Sequence, residues 1–218
     1  MEKLDRFYEK INGSYFGIAA FVISVLFLTI SQMLYIAEDP SFSITTNFIS
    51  DLGAGPNGAD IAFSIGVIIS GVLFIPFYLF LGRYLLKKGN NLNILIKGMY
   101  GGLIACIGSI LVGVFPLDPD NKLLYNLHII AAGLYFYGLL IMLMIYGISE
   151  IKIATIPNIL GIFAIISAIL LGAFITTLIF QYLTSTPFQT YTYIIEWIGS
   201  WIMSVWIIVN IYYTLKNK

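Results

Sequence analysis

The chain has 218 residues and no formal net charge, because 11 basic residues balance 11 acidic ones. Only 10% of its residues are charged and 59% are hydrophobic, whereas a soluble domain has about 25% charged residues. This composition excludes a soluble globular domain, a disordered chain, a disulfide scaffold and a basic nucleic-acid binder, and it predicts an integral membrane protein.

Six long apolar segments follow one another along the chain. A transmembrane helix needs about 20 mostly apolar residues to cross about 30 Å of hydrocarbon. The segments that meet this requirement are Tyr15–Ala37, Ile61–Leu81, Ile94–Phe115, Leu124–Ile148, Ile156–Tyr182 and Tyr191–Tyr213. We therefore expect residues 1–218 to form a single all-α domain, a polytopic bundle of six transmembrane helices.

The charged residues are distributed unevenly around these segments. All but one of the 11 basic residues fall in the two tails and in or beside the second and fourth connections, and Lys122 is the exception. The positive-inside rule then predicts a cell-membrane protein with both termini in the cytoplasm. Of the acidic residues, Glu2, Asp5, Glu9 and Glu150 share that side. The others are predicted on the outer side: Glu38, Asp39, Asp51, Asp60, Asp118, Asp120 and Glu196. Because acidic residues contribute little to topology, the outer acids are candidates for function.

The first outer connection is the longest one and has two parts. The Gly53–Gly58 segment mixes Gly, Pro and Asn, which is typical of turns. The preceding Phe42–Leu52 segment is too short to span a membrane, and its mixture of apolar and small polar residues predicts an interfacial or re-entrant helix.

Polar residues on the outer side can meet in one pocket. His128, the only histidine, lies about one helical turn inside the fourth span, and Glu196 lies at a similar depth in the sixth. Ionisable residues within spans are costly and are therefore functional candidates. The helix order predicts a pocket that contains Asn47, Ser50, Asp51, Asp118, His128 and Glu196.

Four interpretations of this predicted pocket remain open. A divalent metal ion could bind to Asp51, Asp118, His128 and Glu196, although no typical ligand spacing supports it. Alternatively, His128 could act as a general base for Ser50 or a water, with Asp51 or Asp118 orienting it. The polar residues could instead attach the long outer loop to the bundle, or the pocket could hold a lipid headgroup without reacting.

Short motifs in this order also resemble a known family. The motifs are Ile49-Ser50-Asp51-Leu52-Gly53, then Phe63 and Gly71, then Phe115-Pro116-Leu117-Asp118, and finally His128. Together they resemble the DUF998 family of six-helix prokaryotic membrane proteins, whose function is unknown. More distantly, the layout is similar to the Frag1/DRAM/Sfk1 group, which implies a connection with lipids. The resemblance implies that Ser50, Asp51, Asp118 and His128 are the motif positions, and Glu196 matches no part of it.

These observations favour a lipid-interacting or lipid-homeostasis protein whose partners are membrane lipids and not nucleic acids. The alternative is an enzyme, namely a metal- or His-dependent hydrolase or transferase acting on lipid headgroups, with Ser50, Asp51 and His128 as its catalytic candidates. A transporter is the second alternative, and the absence of a charge pair at mid-bilayer in the sequence disfavours it. The sequence leaves open whether the protein is an enzyme.

Overall fold

The computed structural model describes residues 2–89, 92–118 and 121–217. Within these ranges the chain forms seven α-helices and one 3₁₀ helix, and no β-strand. The α-helices are α1 (Glu2–Lys10), α2 (Ser14–Glu38), α3 (Ala59–Lys88), α4 (Leu92–Val114), α5 (Lys122–Lys152), α6 (Asn158–Thr184) and α7 (Thr190–Lys216). The 3₁₀ helix, Ile49–Ala54, lies between α2 and α3. Asp120 and Lys218 lie outside the described residues.

Among the described residues, six helices, α2 to α7, are long and apolar enough to cross a membrane. Their outward faces carry large aliphatic side chains, such as Met33 (67% exposed), Ile130 (61%) and Leu183 (75%). Water would penalise so much exposed apolar surface, whereas hydrocarbon accommodates it, and a helix satisfies its own backbone hydrogen bonds there. The predicted all-α class and the six-helix bundle are confirmed, and the chain is a multi-pass membrane protein.

Two of the helices extend well beyond the predicted spans. The second predicted span ends at Leu81, whereas α3 continues to Lys88. The fourth ends at Ile148, whereas α5 continues to Lys152. The added ends carry basic residues, which are good helix formers and interact favourably with the negative end of the helix dipole. Hydropathy therefore located the apolar part of each helix and not the helix end.

Neighbouring helices pack in chain order, and α2 also contacts α7, which closes the ring. α4 and α5 approach each other closely because glycine occupies facing positions. A Cβ atom added at Gly101 would lie 3.0 Å from the carbonyl oxygen of Gly138. Small residues permit this approach where the hydrophobic effect does not drive association. The buried centre of the bundle contains Phe77, Met142 and Trp206.

The two ends of the bundle differ in what covers them. At one end, the Ser14 and Thr214 hydroxyls form a hydrogen bond of 2.7 Å, which joins the start of α2 to the end of α7. We call this end, which carries α1 and the chain termini, the terminal face. The other end carries the long loop, residues 39–58, and we call it the loop face.

Helix α1 was expected only as part of a tail, yet it folds and docks on the terminal face. Its Asp5 carboxylate forms an ion pair with Arg83 of α3, and the Arg83 Nε donates a hydrogen bond of 2.9 Å to it. The Tyr8 hydroxyl donates a hydrogen bond of 2.6 Å to the carbonyl oxygen of Pro76, which also belongs to α3. Docking on α3 therefore stabilises a helix that is too short to be stable alone.

Candidate functional site

The long loop is folded by its own polar side chains. The Asn47 Oδ1 accepts hydrogen bonds from the Ser43 backbone N–H (3.2 Å) and from the Thr46 hydroxyl (2.8 Å). Such local bonds compete with helix formation. As a result, the helix expected within Phe42–Leu52 is replaced by turns and then by the six-residue 3₁₀ helix Ile49–Ala54.

Asp51 stabilises the start of this 3₁₀ helix. Its carboxylate accepts hydrogen bonds from the Phe48 backbone N–H (2.8 Å) and from the Asn47 amide (3.4 Å). This is half of a capping box, in which a side chain of the first turn satisfies the backbone at the helix start. Burial raises the pKa of the Asp51 carboxyl, and the two hydrogen bonds oppose that rise. Asp51 therefore maintains the fold of the loop.

Two side chains of α7 attach the loop to the bundle. The Glu196 Oε2 accepts a hydrogen bond of 2.8 Å from the Ile49 backbone N–H. The Trp197 indole N–H donates to the Asn47 carbonyl at 3.0 Å. Both side chains are buried, with 8% and 2% of their surface exposed. The two bonds place the 3₁₀ helix over the first turns of α7.

His128 lies in the first part of α5 and is only 2% exposed. Its Nδ1 is 2.8 Å from the Phe115 carbonyl oxygen, just beyond the end of α4. Because a carbonyl group only accepts, Nδ1 must carry the hydrogen in this pair. In the neutral imidazole, Nε2 is then a hydrogen-bond acceptor.

A cavity of about 540 Å³ lies inside the bundle and begins at the loop face. Its wall comes from α2, the long loop, α3, α4, α5 and α7, and no residue of α6, which is described throughout, contributes to it. Ser50, His128 and Glu196 are among its lining residues near the loop face, and Tyr78 and Ile207 line its deeper part. Most of the wall is apolar or aromatic, as is usual for ligand sites of this size.

The six predicted pocket residues fall into three groups. Ser50, His128 and Glu196 line the cavity. Asn47 and Asp51 hold the loop that covers it. Asp118 is not part of the described cavity wall. It precedes α5 and accepts a hydrogen bond of 3.3 Å from the Asn121 backbone N–H.

The metal-ligand candidates do not converge. Within residues 2–89, 92–118 and 121–217, no three His, Cys, Asp or Glu side chains form a group that could hold a metal ion. Asp51 is directed to Phe48 and Asn47, whereas His128 is directed to Phe115. A structural or catalytic zinc site usually has at least three protein ligands, and the described residues offer no such group.

Glu150, predicted to lie on the side of the chain termini, is fully buried near the end of α5. Its Oε2 accepts a hydrogen bond of 3.2 Å from the Trp206 indole N–H, and its Oε1 has no partner among the described residues. The signal was present in the sequence, since Leu143, Tyr146 and Glu150 continue the helical spacing of the buried face. The burial of Glu150 was not predicted because the predicted apolar segment ends at Ile148.

The apolar helices and the internal cavity together define a six-helix membrane protein with a cavity that begins at its loop face. The chain belongs to the DUF998 family, described as proteins of unknown function, and the family model matches residues 18–211. The resemblance to this family is thereby confirmed. No curated protein and no solved structure shows significant similarity to the chain.

Proposed function

We propose that this protein binds a membrane lipid inside the bundle, with the acyl chain in the apolar depth of the cavity and the headgroup near Ser50, His128 and Glu196. The observation that supports the proposal is the 540 Å³ cavity, whose wall is mostly apolar and whose ionisable groups, His128 and Glu196, lie near the loop face. Lipids have the same division between an apolar and a polar part.

A route from the bilayer into the cavity exists between α2 and α7. Val25 of α2 and Trp201 of α7 line the cavity, yet they are 45% and 50% exposed on the side of the bundle. Residues that belong both to the cavity wall and to the lipid-facing surface mark an opening. A lipid can enter sideways there, without leaving the membrane.

We further propose that the terminal face lies in the cytoplasm and the loop face outside the cell. The positive-inside rule supports this orientation, because the basic residues Lys3, Arg83 and Lys87 belong to the terminal face. The polar end of the cavity then lies in the outer half of the membrane. The bound lipid would come from the outer leaflet, and the protein would serve lipid homeostasis.

We favour binding over hydrolysis because of the partners of His128. Ser50 and His128 share the cavity, as a hydrolase would require. However, a general base is oriented by a carboxylate in such enzymes, and His128 Nδ1 pairs with a backbone carbonyl. Within the described residues, the Asp51 carboxylate is used by the loop.

The experiment uses the tryptophan that lines the cavity. Trp197 lines it and is 2% exposed, whereas Trp206 is fully buried elsewhere. In the Trp201→Phe background, the protein is reconstituted in phosphatidylcholine vesicles in which one acyl chain is brominated near its headgroup. Bromine quenches tryptophan fluorescence on contact, so we expect the brominated lipid to quench Trp197.

A matched pair of variants separates cavity binding from general lipid contact. Ala132→Phe places a large side chain in the cavity wall of α5, and Ala173→Phe makes the same change on the exposed surface of α6. We expect Ala132→Phe to remove most of the quenching and Ala173→Phe to leave it unchanged. Equal quenching in the two variants, or none in the Trp201→Phe parent, would reject lipid binding in the cavity.

A further inference from the structure

We propose that the lipid bound in this cavity carries a cationic amine in its headgroup and that Glu196 is the counter-ion. The inference rests on the proposed function and specifies its ligand. It is carried by the arrangement of charge and hydrogen-bond acceptors at the loop-face end of the cavity.

Glu196 is a carboxyl group that is only partly satisfied by the protein. Its Oε2 accepts the hydrogen bond from Ile49, while its Oε1 has no hydrogen bond among the described residues. The side chain is 8% exposed and lines the cavity. A carboxylate buried within a membrane span is costly unless it is paired, and a ligand in the cavity is in position to pair with it.

The cavity wall offers no positive charge to a ligand. Among the described residues, the ion pairs lie on the terminal face, around Asp5 and between Glu2 and Arg6. No Lys or Arg in the described part of the chain lines the cavity. A headgroup that carries only negative charge would therefore be buried beside Glu196 without a counter-ion, and burial of an unpaired charge is strongly unfavourable.

Two further polar groups at this end of the cavity can accept hydrogen bonds from a headgroup. His128 Nε2 is an acceptor when Nδ1 donates to the Phe115 carbonyl. The Ser50 hydroxyl can accept as well as donate. A primary ammonium group has three N–H donors, so it suits an end of the cavity that offers a carboxylate and further hydrogen-bond acceptors.

The test compares three probes of equal chain length and different headgroup: hexadecylamine, hexadecanol and palmitate. Each displaces the brominated lipid from the full-length Trp201→Phe protein in detergent at neutral pH, and recovery of Trp197 fluorescence reports displacement. A charge-assisted hydrogen bond is worth about 1.5–3 kcal/mol. We therefore expect hexadecylamine to act at a concentration about tenfold or more below that of hexadecanol, and palmitate to be the weakest.

Glu196→Gln tests the assigned counter-ion. Glutamine keeps an acceptor for the Ile49 N–H but removes the charge, so the loop should stay attached. We expect the preference for the amine over the alcohol to be lost. Glu150→Gln is the matched control, because it makes the same change at a buried glutamate outside the cavity wall, and it should keep the preference. The two variants are measured in the same micelles. Partition of the probes into detergent is therefore the same for both variants and does not affect the comparison between them.

The outcomes distinguish the two proposals. If all three probes displace the lipid equally, or if palmitate is the strongest, the amine inference is wrong while lipid binding stands. Retention of the preference in Glu196→Gln would overturn the role of Glu196. If none of the probes displaces the brominated lipid, the amine inference fails, and the quenching of the Ala132→Phe and Ala173→Phe variants decides separately whether the cavity binds lipid. The order of the three probes on the Trp201→Phe parent needs no change at Glu196, so it remains decisive even where that variant does not fold.

Discussion

At the scale of single residues, two buried glutamates define the polar interior of this protein. Glu196 lies at the loop face and accepts from the Ile49 backbone, and Glu150 lies near the terminal face and accepts from the Trp206 indole. Each has one bonded oxygen and one without a hydrogen bond among the described residues. Glu196 faces the cavity, whereas Glu150 does not line it. The same side chain thus lines the cavity at one end and packs within the bundle at the other.

We predict that Glu150 tolerates loss of charge but not loss of its side chain. Glu150→Ala leaves the Trp206 N–H without its acceptor and creates a void, and an unsatisfied buried donor alone costs about 1–3 kcal/mol. Glu150→Gln keeps the acceptor and removes the cost of a buried charge. Thermal unfolding in detergent should show a lower Tm for the alanine variant and an unchanged or higher Tm for the glutamine variant. An equal decrease in both variants would contradict a packing role.

At the scale of elements, the short α1 and the long loop are held by a few specific bonds to the long helices. The loop depends on α7, through Glu196 and Trp197. Helix α1 depends on α3, through Asp5 and Tyr8. Neither short element is apolar enough to be placed by the membrane, so side-chain hydrogen bonds determine where each one lies.

Loss of the Asp5 carboxylate should release α1. Asp5→Asn removes the ion pair with Arg83 and the weaker one with Lys87 at 3.9 Å. Hydrogen bonds to charged groups contribute about 1.5–3 kcal/mol, so we expect amide hydrogen exchange in α1 to accelerate about tenfold or more. Glu2→Gln is the control, because the Glu2 side chain is 91% exposed and its ion pair with Arg6 lies within α1. Equal exchange in the two variants would show that Asp5 does not hold α1.

The ion pair between Asp5 and Arg83 makes the docking of α1 sensitive to acid. The hydrogen bond from Arg83 lowers the pKa of the Asp5 carboxyl below its ordinary value of 3.8. A lowered pKa in the folded state means that the carboxylate stabilises docking fully above pH 3.8. That stabilisation decreases as the pH falls below 3.8 and is lost below the lowered pKa. Exchange in α1 should therefore increase at acid pH in the wild type and change less in Asp5→Asn.

At the scale of the whole molecule, the net charge is zero because opposite charges at the two faces balance. Most basic residues lie at the terminal face, whereas acidic residues such as Asp39 and Asp60 lie at or next to the two ends of the long loop. The bundle between them presents aliphatic side chains outward and contains the cavity. The proposed orientation follows from this separation of charge.

We predict that cysteines at the two faces differ in access from outside the cell. The native Cys106 is buried at 2% exposure and gives a low background. Ala54→Cys places an exposed thiol in the long loop, and Lys152→Cys places one at the end of α5 on the terminal face. A membrane-impermeant maleimide added to intact cells should label the first variant and not the second, while both are labelled after lysis. The reverse pattern would overturn the proposed orientation.

The sequence alone determined the all-α class, the six spans, the family and the distribution of charge, because lipid imposes long apolar helices that are visible in hydropathy. It also placed Ser50, His128 and Glu196 near one end of the bundle, since their depth follows from their distance to the helix ends. The docking of α1 and the attachment of the 3₁₀ helix to α7 required the tertiary structure. These features depend on bonds between residues far apart in the chain, such as Asp5 with Arg83. The cavity likewise exists only once five helices and the loop enclose it, and packing between distant segments has no local signature in a sequence.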